Sequence, residues 1–431
     1  MGSNSPPLSE GASLGTRSRT AACHLFWEKC MTRSADEWRR HWPAVAASSL
    51  GVATGFSMLQ FNASIFIQPW QDSFGWSRGE IAAAHNGMIL TALLSPFAGA
   101  LLDRVGVRRP LLAAMFLMGC AYIAMAQLNG SLIQYYATYL VLQFVGIFTT
   151  GLAFTRVVAA RFVRSRGLAL ACTRIGISLF GIFLPPLLHW LIDHKGWPAG
   201  FYLLAAVVLL VGLPICWLGI RDMPRARPEE TRPRESFLTL VRLNRKVVQL
   251  CICAALGYVP ITMALSQFQP LLTELSIAPQ DAATLTGVLA GSVLLGTLLS
   301  GVLIDRVWAP AVACLFSVGP IIGFALMLSG ALSFPVAFGA AVLIGASQGA
   351  EIDVVAYLSA RYFGMRHYST IYGSTVATMA MAGVAGQVGI GFLHDYAGSY
   401  HLALIVMITI LALSIPFYLM LGAYPERPED E

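Results

Sequence analysis

The sequence predicts an all-α membrane protein in which twelve transmembrane helices form two pseudo-symmetric bundles of six, with both termini in the cytoplasm. Three observations predict this fold: a composition of long apolar stretches, a one-sided distribution of Lys and Arg, and an internal repeat. Of the 431 residues, 56% are hydrophobic and only 12% are charged. The mean hydropathy of +0.67 excludes an ordinary soluble globular protein.

The apolar stretches have the length of membrane-spanning helices, which need about 20 residues. We place them at 43–69, 78–102, 109–128, 132–157, 167–192, 199–219, 247–272, 281–304, 309–328, 333–358, 368–393 and 399–421. Gly and Pro cut several of them, which membrane helices tolerate because neighbouring helices satisfy the freed backbone groups. Ser77 and Glu80 have the spacing of a capping box, so we assign Glu80 to the start of the second helix.

The basic residues orient these helices. Of the 28 Lys and Arg residues, 24 fall in the termini and in the loops after even-numbered helices, whereas the other loops hold only Arg78 and Lys195. The positive-inside rule therefore predicts a multi-pass protein of the inner or plasma membrane with both termini in the cytoplasm. This asymmetry explains the net charge of +6, so no nucleic-acid partner is expected. The basic segment 221–246 is predicted to anchor to anionic lipid headgroups.

The polar ends of the chain and its cysteines indicate neither a signal peptide nor a metal site. We expect the segments 1–42 and 423–431 to be cytoplasmic tails, and residues 1–30 to be dispensable. The first 42 residues lack an apolar core region, so no cleavable signal peptide is expected. Most of the eight cysteines lie in apolar stretches, where they pack as small hydrophobes, and no metal or cofactor site is predicted.

The chain carries an internal repeat at an offset of 200 to 202 residues. Gly-Ala-Leu-Leu-Asp-Arg at 99–104 recurs as Gly-Val-Leu-Ile-Asp-Arg at 301–306, and Ala-Arg-Phe at 160–162 recurs as Ala-Arg-Tyr at 360–362. Gln-Pro at 68–69 likewise recurs at 269–270, and Asp193 and Gly196 match Asp395 and Gly398. We therefore predict two six-helix bundles, 43–220 and 247–422, joined by the linker 221–246. Repeats of this kind place a binding site between the halves near the middle of the membrane.

The loop after the second helix contains a charged, glycine-rich motif. Its residues are Gly99, Asp103, Arg104, Gly106, Arg108 and Arg109. Together with the two six-helix halves, this motif resembles the major facilitator superfamily, and the resemblance covers about 42–424. The second copy is incomplete, with Trp308 in place of the second glycine. The segments 74–80, 167–170 and 349–353 are similar to the monocarboxylate transporter-like branch, which includes oxalate/formate-type exchangers.

The resemblance implies a conformational latch between the halves on the cytoplasmic side. Its expected members are the acidic and basic residues of the two motif copies, namely Asp103, Arg104, Arg108, Asp305 and Arg306. Charged groups at helix termini can bond one another and the ends of neighbouring helices. Anchoring to lipid headgroups is the alternative for these residues.

Two arginines lie inside apolar helices, where a charge is costly and usually faces a polar pathway. Arg156 either extends to the cytoplasmic interface or faces the cavity, where a planar guanidinium can bind a carboxylate through two hydrogen bonds. Arg174 is deeper and needs a counter-charge from a substrate or from an acid of the tenth helix. We predict both as substrate-binding residues.

Two acids, Glu351 and Asp353, lie inside the tenth helix. Residues two apart on a helix diverge by about 200°, so one of them is expected to face the pathway and carry a proton while the other pairs with a cation. The alternative is a static ion pair with Arg174 or Arg361. Which acid has which role stays open.

The resemblance implies that the first, fourth, seventh and tenth helices line the cavity. Four polar or aromatic residues on these helices complete the predicted substrate site: Asn62, Tyr258, Gln267 and Tyr357. Ordinary helix packing is the alternative for each of them.

The sequence therefore predicts a secondary active transporter of a small organic anion, a monocarboxylate in the first place, which works by alternating access coupled to protons. The alternatives are anion exchange, export of amphipathic drugs or metabolites, and a membrane sensor without transport. A phosphate-binding loop of the G-x-x-x-x-G-K-[ST] type is missing from the sequence, which argues against a primary pump. The expected partners are the anion, protons and membrane lipids, the expected state is a monomer, and no enzymatic activity is predicted.

Overall fold

The computed structural model describes residues 35–84, 87–221, 245–330, 332–365 and 367–425. Within these ranges all regular secondary structure is helical, and ten helices are long and apolar enough to cross a membrane. The predicted tail up to residue 34, the linker 222–244 and the last six residues lie outside the described residues, as does the expectation that residues 1–30 are dispensable.

The first six helices, α1 to α6, are partly divided into shorter pieces. The divided ones are α1 (35–54, Phe56–Asn62, a 3-10 turn Ala63–Phe66 and Ile67–Phe74), α2 (Arg78–Ala83 and Gly87–Val105), α4 (Leu132–Gly146, a 3-10 turn Ile147–Thr149 and Gly151–Ala159) and α6 (Trp197–Ala206, a π-helical turn Val207–Gly212 and Leu213–Gly219). The continuous ones are α3 (Arg108–Ala126) and α5 (Arg166–Lys195). The spans predicted at 43–69 and 78–102 therefore correspond to segmented helices.

The last six helices are longer and more regular. They are α7 (Arg245–Glu274), α8 (Pro279–Ile304), α9 (Ala309–Leu328), α10 (Phe334–Phe363), α11 (Tyr368–Ala397) and α12 (His401–Leu419). Within α7, Gln267 leaves the helical region with φ −127° and ψ 21°, so this helix kinks two residues before Gln269-Pro270. In α1 the 3-10 turn 63–66 ends just before the equivalent Gln68-Pro69.

The breaks in α1 and α4 face each other. The backbone amide of Phe56, freed where α1 breaks at Gly55, donates to the Thr149 hydroxyl at 3.1 Å. A Cβ at Gly55 would overlap the carbonyl oxygen of Thr149, so this approach requires glycine. A hydroxyl from one broken helix thus satisfies a backbone group of the other, which makes the break in α1 compatible with an apolar environment.

One end of the helices gathers the described ends of the tails and of the linker, and we call it the linker side. The Glu37 carboxylate accepts from the amide of Arg164 at 3.2 Å, and the Arg161 guanidinium donates to the carbonyl of Arg221. Near the C-terminus, the Tyr424 hydroxyl accepts from the Ala309 amide at 2.9 Å. Asp305, after α8, contacts Gly167 at the start of α5, and Asp103, at the end of α2, contacts Ser369 at the start of α11. The loops after α2, α4, α6, α8 and α10 therefore share this end.

The opposite side is held by aromatic rings and by the predicted capping box. The Ser77 amide donates to Glu80 at 2.8 Å and the Glu80 amide donates to the Ser77 hydroxyl at 3.2 Å, which confirms the box. Trp70 stacks on Phe201 with ring centroids 5.8 Å apart and contacts Tyr135 edge-on at 5.1 Å. These rings join α1, α4 and α6 near the side opposite the linker side.

Candidate functional site

We call α1 to α6 the N-terminal set and α7 to α12 the C-terminal set. Asp103, at the end of α2, caps a helix of the C-terminal set. Its buried carboxylate accepts from the backbone amides of Ser369 at 3.2 Å and Thr370 at 2.9 Å, and from the Thr370 hydroxyl at 2.8 Å. These amides belong to the first turn of α11, where helical amides lack partners within their own helix. The negative charge also lies at the positive end of the α11 dipole. Asp103 therefore binds the main chain of the C-terminal helices on the linker side.

Arg156 completes this contact. Its guanidinium forms an ion pair with Asp103 and donates to the Ser369 hydroxyl at 2.9 Å. The Arg156 side chain is 18% exposed and that of Asp103 is 4% exposed, so the pair is shielded from water. Arg156, which the sequence suggested for binding a carboxylate substrate, holds a protein carboxylate in this conformation. The three elements α2, α4 and α11 meet at this pair.

Asp305 makes the corresponding contact from the second repeat. Its carboxylate accepts from the amides of Gly167 at 2.6 Å and Leu168 at 2.9 Å, which lie in the first turn of α5. Burial raises the pKa of Asp305 to about 6, against the opposing effects of these two amides and of Arg166; the Glu37 carboxylate adds to the rise. The proton affinity of this carboxyl group thus approaches the physiological range.

The two caps differ in their cations. At the repeat offset of 200, Arg156 corresponds to Ala356, which has no charge. Its neighbour Tyr357 is buried and lies close enough to Asp305 to interact with it electrostatically. The first cap is therefore an ion pair on a helix terminus, whereas the second depends mainly on main-chain amides.

The other predicted latch residues lie outside these caps. Arg104 and Arg306 are exposed, and Arg108 donates to the carbonyl of Trp217 at 3.0 Å, which joins α3 to α6. The acidic members of the predicted latch thus contact the opposite set, while the contact described for Arg108 stays within its own set.

Glycines bring the two sets into close contact beside the caps. A Cβ at Gly99 of α2 would overlap the carbonyl oxygen of Ser369, and a Cβ at Gly373 of α11 would lie 2.6 Å from the carbonyl oxygen of Ser95. At the second cap, a Cβ at Gly301 of α8 would lie 2.8 Å from the carbonyl oxygen of Gly167. The helices cross at backbone contact at these positions. The linker side is therefore closed in this conformation.

A second ion pair joins the two sets farther from the linker side. The Arg174 guanidinium of α5 lies 3.7 Å from the Asp353 carboxylate of α10 and donates to the Gly349 carbonyl at 3.4 Å. Arg174 follows the first residue of α5 by eight positions, which is about 12 Å along a helix. Its side chain is 23% exposed, whereas that of Asp353 is fully buried. Neither Asp353 oxygen accepts a hydrogen bond from any described residue.

Glu351 occupies a different face of α10. It lines a small cavity that lies among the C-terminal helices. The other lining residues are Gly257 of α7, Ala313, Phe316 and Ser317 of α9, Ser347, Ala350 and Val354 of α10, and Leu411 and Tyr418 of α12. The spacing predicted different faces for the two acids, and in the structure Asp353 faces α5 while Glu351 faces α7, α9 and α12.

The remaining predicted substrate residues do not form one cluster with Arg174. Asn62 is buried and donates to the Met58 carbonyl at 2.7 Å, a contact within α1. Gln267, at the kink of α7, accepts from the Tyr400 hydroxyl at 3.3 Å. Tyr357 belongs to the second cap. Tyr258 packs against Gly383 of α11 and interacts electrostatically with both Arg174 and Glu351, so it lies between the two charged sites.

Sequence reasoning missed the groups that receive the caps. Ser369 and Thr370 begin α11, and a hydroxyl residue before an apolar stretch is a recognised signal of a helix start. That signal could have found them as a helix terminus but not as the partner of a carboxylate 267 positions away. Thr149 left a weaker signal, because a hydroxyl in an apolar helix is common.

The comparisons with known proteins fit this architecture. A sequence model of the Major Facilitator Superfamily matches residues 50–387. The chain is 25% identical to monocarboxylate transporter 13 of Rattus norvegicus over 413 residues, which cover 90% of this chain and 92% of that protein. A match to the same transporter of Bos taurus spans 64% of that protein. An MFS-type transporter of Gibberella moniliformis is 24% identical over 398 residues, which cover 91% of this chain and 92% of that protein.

Solved structures share the fold at low identity. The E. coli fucose:proton symporter FucP superposes with a TM-score of 0.67 and 17% identity, over 88% of this chain and 98% of that one. A structure of FucP in the outward conformation gives a TM-score of 0.69 over the same shares. The human organic anion transporter MFSD10 gives 0.66 and 16% identity, over 87% of this chain and 99% of that one.

Proposed function

Because this chain belongs to the Major Facilitator Superfamily, we propose that it moves a small monocarboxylate across the membrane by alternating access of its two six-helix sets. A multi-pass membrane transporter follows from the family and from the apolar helices. The proposed parts are the monocarboxylate cargo and its coupling to protons, and both rest on the Arg174–Asp353 pair.

Arg174 has the properties of an anion-binding group that is held ready between the sets. It is the guanidinium of a membrane-embedded helix, it keeps 23% of its side chain exposed, and its protein counter-charge comes from the opposite set. A guanidinium binds a carboxylate through two parallel hydrogen bonds. At 3.7 Å the contact with Asp353 is an ion pair without a hydrogen bond of normal length, so a substrate carboxylate offers Arg174 a shorter contact.

Asp353 then provides the coupling between binding and conformation. When an anion takes Arg174, the buried Asp353 carboxylate loses its cation, which is costly in a low dielectric. Uptake of a proton by an acid of α10 offsets the added negative charge, so anion and proton are expected to cross together. A carrier that takes up no proton would instead exchange one anion for another, and the experiment below separates the two modes.

The resemblance to monocarboxylate transporter 13 supports the choice of cargo, at 25% identity over most of the chain. Under this proposal the chain spans the membrane twelve times with both termini in the cytoplasm, 43–220 and 247–422 form the two bundles, and the linker side is cytoplasmic. The caps by Asp103 and Asp305 would then close the cytoplasmic side while the opposite side admits substrate. The inner or plasma membrane is the proposed location, and one chain contains both halves of the site.

Counterflow in proteoliposomes tests the proposal. Purified protein is reconstituted in vesicles that contain unlabelled acetate, lactate, pyruvate or benzoate, and uptake of the labelled acid is followed with and without a pH gradient. We expect exchange of at least one of these acids, faster with the outside acidic. Arg174→Gln should lower the initial rate at least tenfold, because the anion loses its cation.

Lys195→Gln is the matched control, since it removes one positive charge from the exposed end of the same helix. Equal rates for wild type, Arg174→Gln and Lys195→Gln would contradict the role of Arg174. Competition separates the rival cargo class: a lipophilic cation that blocks uptake better than an anion would indicate an exporter of amphipathic drugs. Saturating counterflow that ignores the pH gradient would indicate anion exchange.

A further inference from the structure

Glu351 is a buried acid in a cavity of its own, away from the contact between the two sets. Its side chain faces Gly257 of α7, where a Cβ would lie 2.5 Å from Oε1, so the absence of a side chain at Gly257 makes the space for the carboxyl group. Hydroxyl groups of Ser317, Ser347 and Tyr418 line the same cavity. The Ser414 hydroxyl lies 3.4 Å from that of Ser317 and extends this polar surface along α12.

The surroundings of Glu351 favour the neutral acid. Among the residues that line the cavity there is no Lys, Arg or His. Glu351 is buried, with 8% of its surface exposed, yet neither of its oxygens has a hydrogen-bond partner in the described part of the chain. The titratable groups that face it are Tyr418 of α12 and, beside Gly257, Tyr258 of α7; both are uncharged at neutral pH. A lone carboxylate is far more costly to bury than a carboxylic acid.

The position of the cavity separates two tasks that a proton-coupled carrier must perform. Asp353 faces Arg174 and the opposite set, whereas the described residues that line the cavity of Glu351 all belong to C-terminal helices. Tyr258 lies near both Glu351 and Arg174, so one polar side chain stands between the two charged sites. Tyr418 lies near the linker-side end of α12, which gives the cavity a polar group toward that side.

The geometry points to Glu351 as the binding site of the transported proton, separate from the anion site at Arg174. This inference rests on the proposed transport of a monocarboxylate. With the side opposite the linker open, a proton from water forms an O–H bond at Glu351. After the sets rearrange, that bond breaks and the proton passes to water on the linker side. One proton and one monocarboxylate together carry no net charge, and Asp353 remains the counter-ion of the empty Arg174.

The test uses the full chain in proteoliposomes, with the panel acid that the wild type exchanges fastest as the probe. Glu351→Gln mimics the protonated residue, so it is expected to keep counterflow within twofold of wild type. The same variant cannot release a proton, so accumulation driven by an acidic outside should fall at least tenfold. Ser317→Ala, which changes the cavity wall without removing the carboxyl group, is expected to keep accumulation within threefold.

Other outcomes overturn the inference. If vesicles with the Glu351→Gln variant still accumulate the acid in response to a pH gradient, the proton binds elsewhere. Accumulation that follows a sodium gradient and not a pH gradient in wild type would assign the cavity to a cation other than the proton. Because the amide resembles the neutral acid, Glu351→Gln is expected to melt at or above the wild-type temperature, and a clear decrease would show that the carboxylate is the resident form. Absence of counterflow in wild type itself, for every acid tested, would instead contradict the proposed function.

Discussion

Arg174 on α5 and Asp353 on α10 form an ion pair that crosses the boundary between the two six-helix sets, with 3.7 Å between the guanidinium nitrogen and the carboxylate oxygen. The two partners differ in their access to water, because Arg174 keeps 23% of its side chain exposed whereas Asp353 is fully buried. Removing one partner therefore has different consequences from removing the other.

Arg174→Gln is expected to lower the free energy of unfolding by about 3 kcal/mol, because it leaves a buried carboxylate without its cation. Asp353→Asn should cost less, since water can reach the remaining guanidinium. The double variant is expected to recover more than half of the loss seen in Arg174→Gln alone. Melting temperatures of the detergent-purified proteins measure this cycle. Strictly additive losses would mean that the two side chains do not interact.

Arg156→Gln is expected to weaken closure of the linker side at least tenfold, because Asp103 loses its ion pair while its side chain stays 4% exposed. The measurement is the distance distribution between spin labels at the exposed positions 104 and 306, one in each set. Arg109→Gln, which changes an exposed arginine in the first turn of α3, is the charge-matched control. Unchanged distances in Arg156→Gln would contradict the role of this pair in closure.

Closure at the second cap is expected to depend on pH through Asp305. Burial raises the pKa of this carboxyl group to about 6 in the closed conformation, whereas a solvated aspartate has a pKa of about 4. The closed conformation thus binds the proton more tightly, so acidification favours closure. This contribution is complete below about pH 4 and is lost as the pH rises through 6.

The same spin-label distances, recorded between pH 7 and pH 5, should shift toward the closed population in wild type. Asp305→Asn cannot titrate and is expected to give a population that does not vary across this range. A shift toward the open population on acidification would reverse the assigned sign.

Gly373→Ala is expected to prevent full closure, because the new Cβ would lie 2.6 Å from the backbone carbonyl of Ser95 on α2. Gly389 lies on the same helix with open space around it, so Gly389→Ala is a matched control for the change in helix propensity. Thiol labelling of a cysteine placed at the end of α11 on the linker side should be faster in Gly373→Ala only. Equal labelling of both variants would mean that the added Cβ at position 373 does not hinder closure.

Thr149→Val is expected to destabilise the protein by about 1 to 2 kcal/mol, because the Phe56 amide at the break of α1 loses its acceptor. Thr409 is exposed and its hydroxyl donates to the Ile405 carbonyl within α12, so Thr409→Val controls for the change from hydroxyl to methyl. Thermal unfolding compares the two variants. A loss in Thr149→Val no larger than that in Thr409→Val would indicate that another group satisfies the amide.

The sequence predicted the helical architecture because apolar length and the repeat are properties of the chain itself. Asp103 and Asp305 were found together, since their motif recurs at an offset of 202 and so marks equivalent places in two halves. The spacing of Glu351 and Asp353 also determined that they face different directions, because helical periodicity is fixed.

The partners of these residues could not be predicted in the same way. Arg156 meets Asp103 only because α2, α4 and α11 converge, and no local pattern encodes that convergence. The choice between Arg174 and Arg361 as the partner of Asp353 depended likewise on which helix α10 contacts. The cavity beside Glu351 depends on the absence of a side chain at Gly257, which lies 94 residues earlier. The local sequence around Gly257 does not indicate that it contacts Glu351.

Asp103 and Asp305 hold the opposite set through peptide amides, and this choice of donor bears on how the protein can evolve. A substitution at Leu168 changes the side chain but leaves the amide that donates to Asp305, whereas a substitution at Ser369 keeps the amide but removes the hydroxyl that accepts from Arg156. Proline is the exception, because it has no amide hydrogen to offer. Each carboxylate thereby constrains its own position more strongly than a main-chain donor such as Leu168 constrains the side chain at its position.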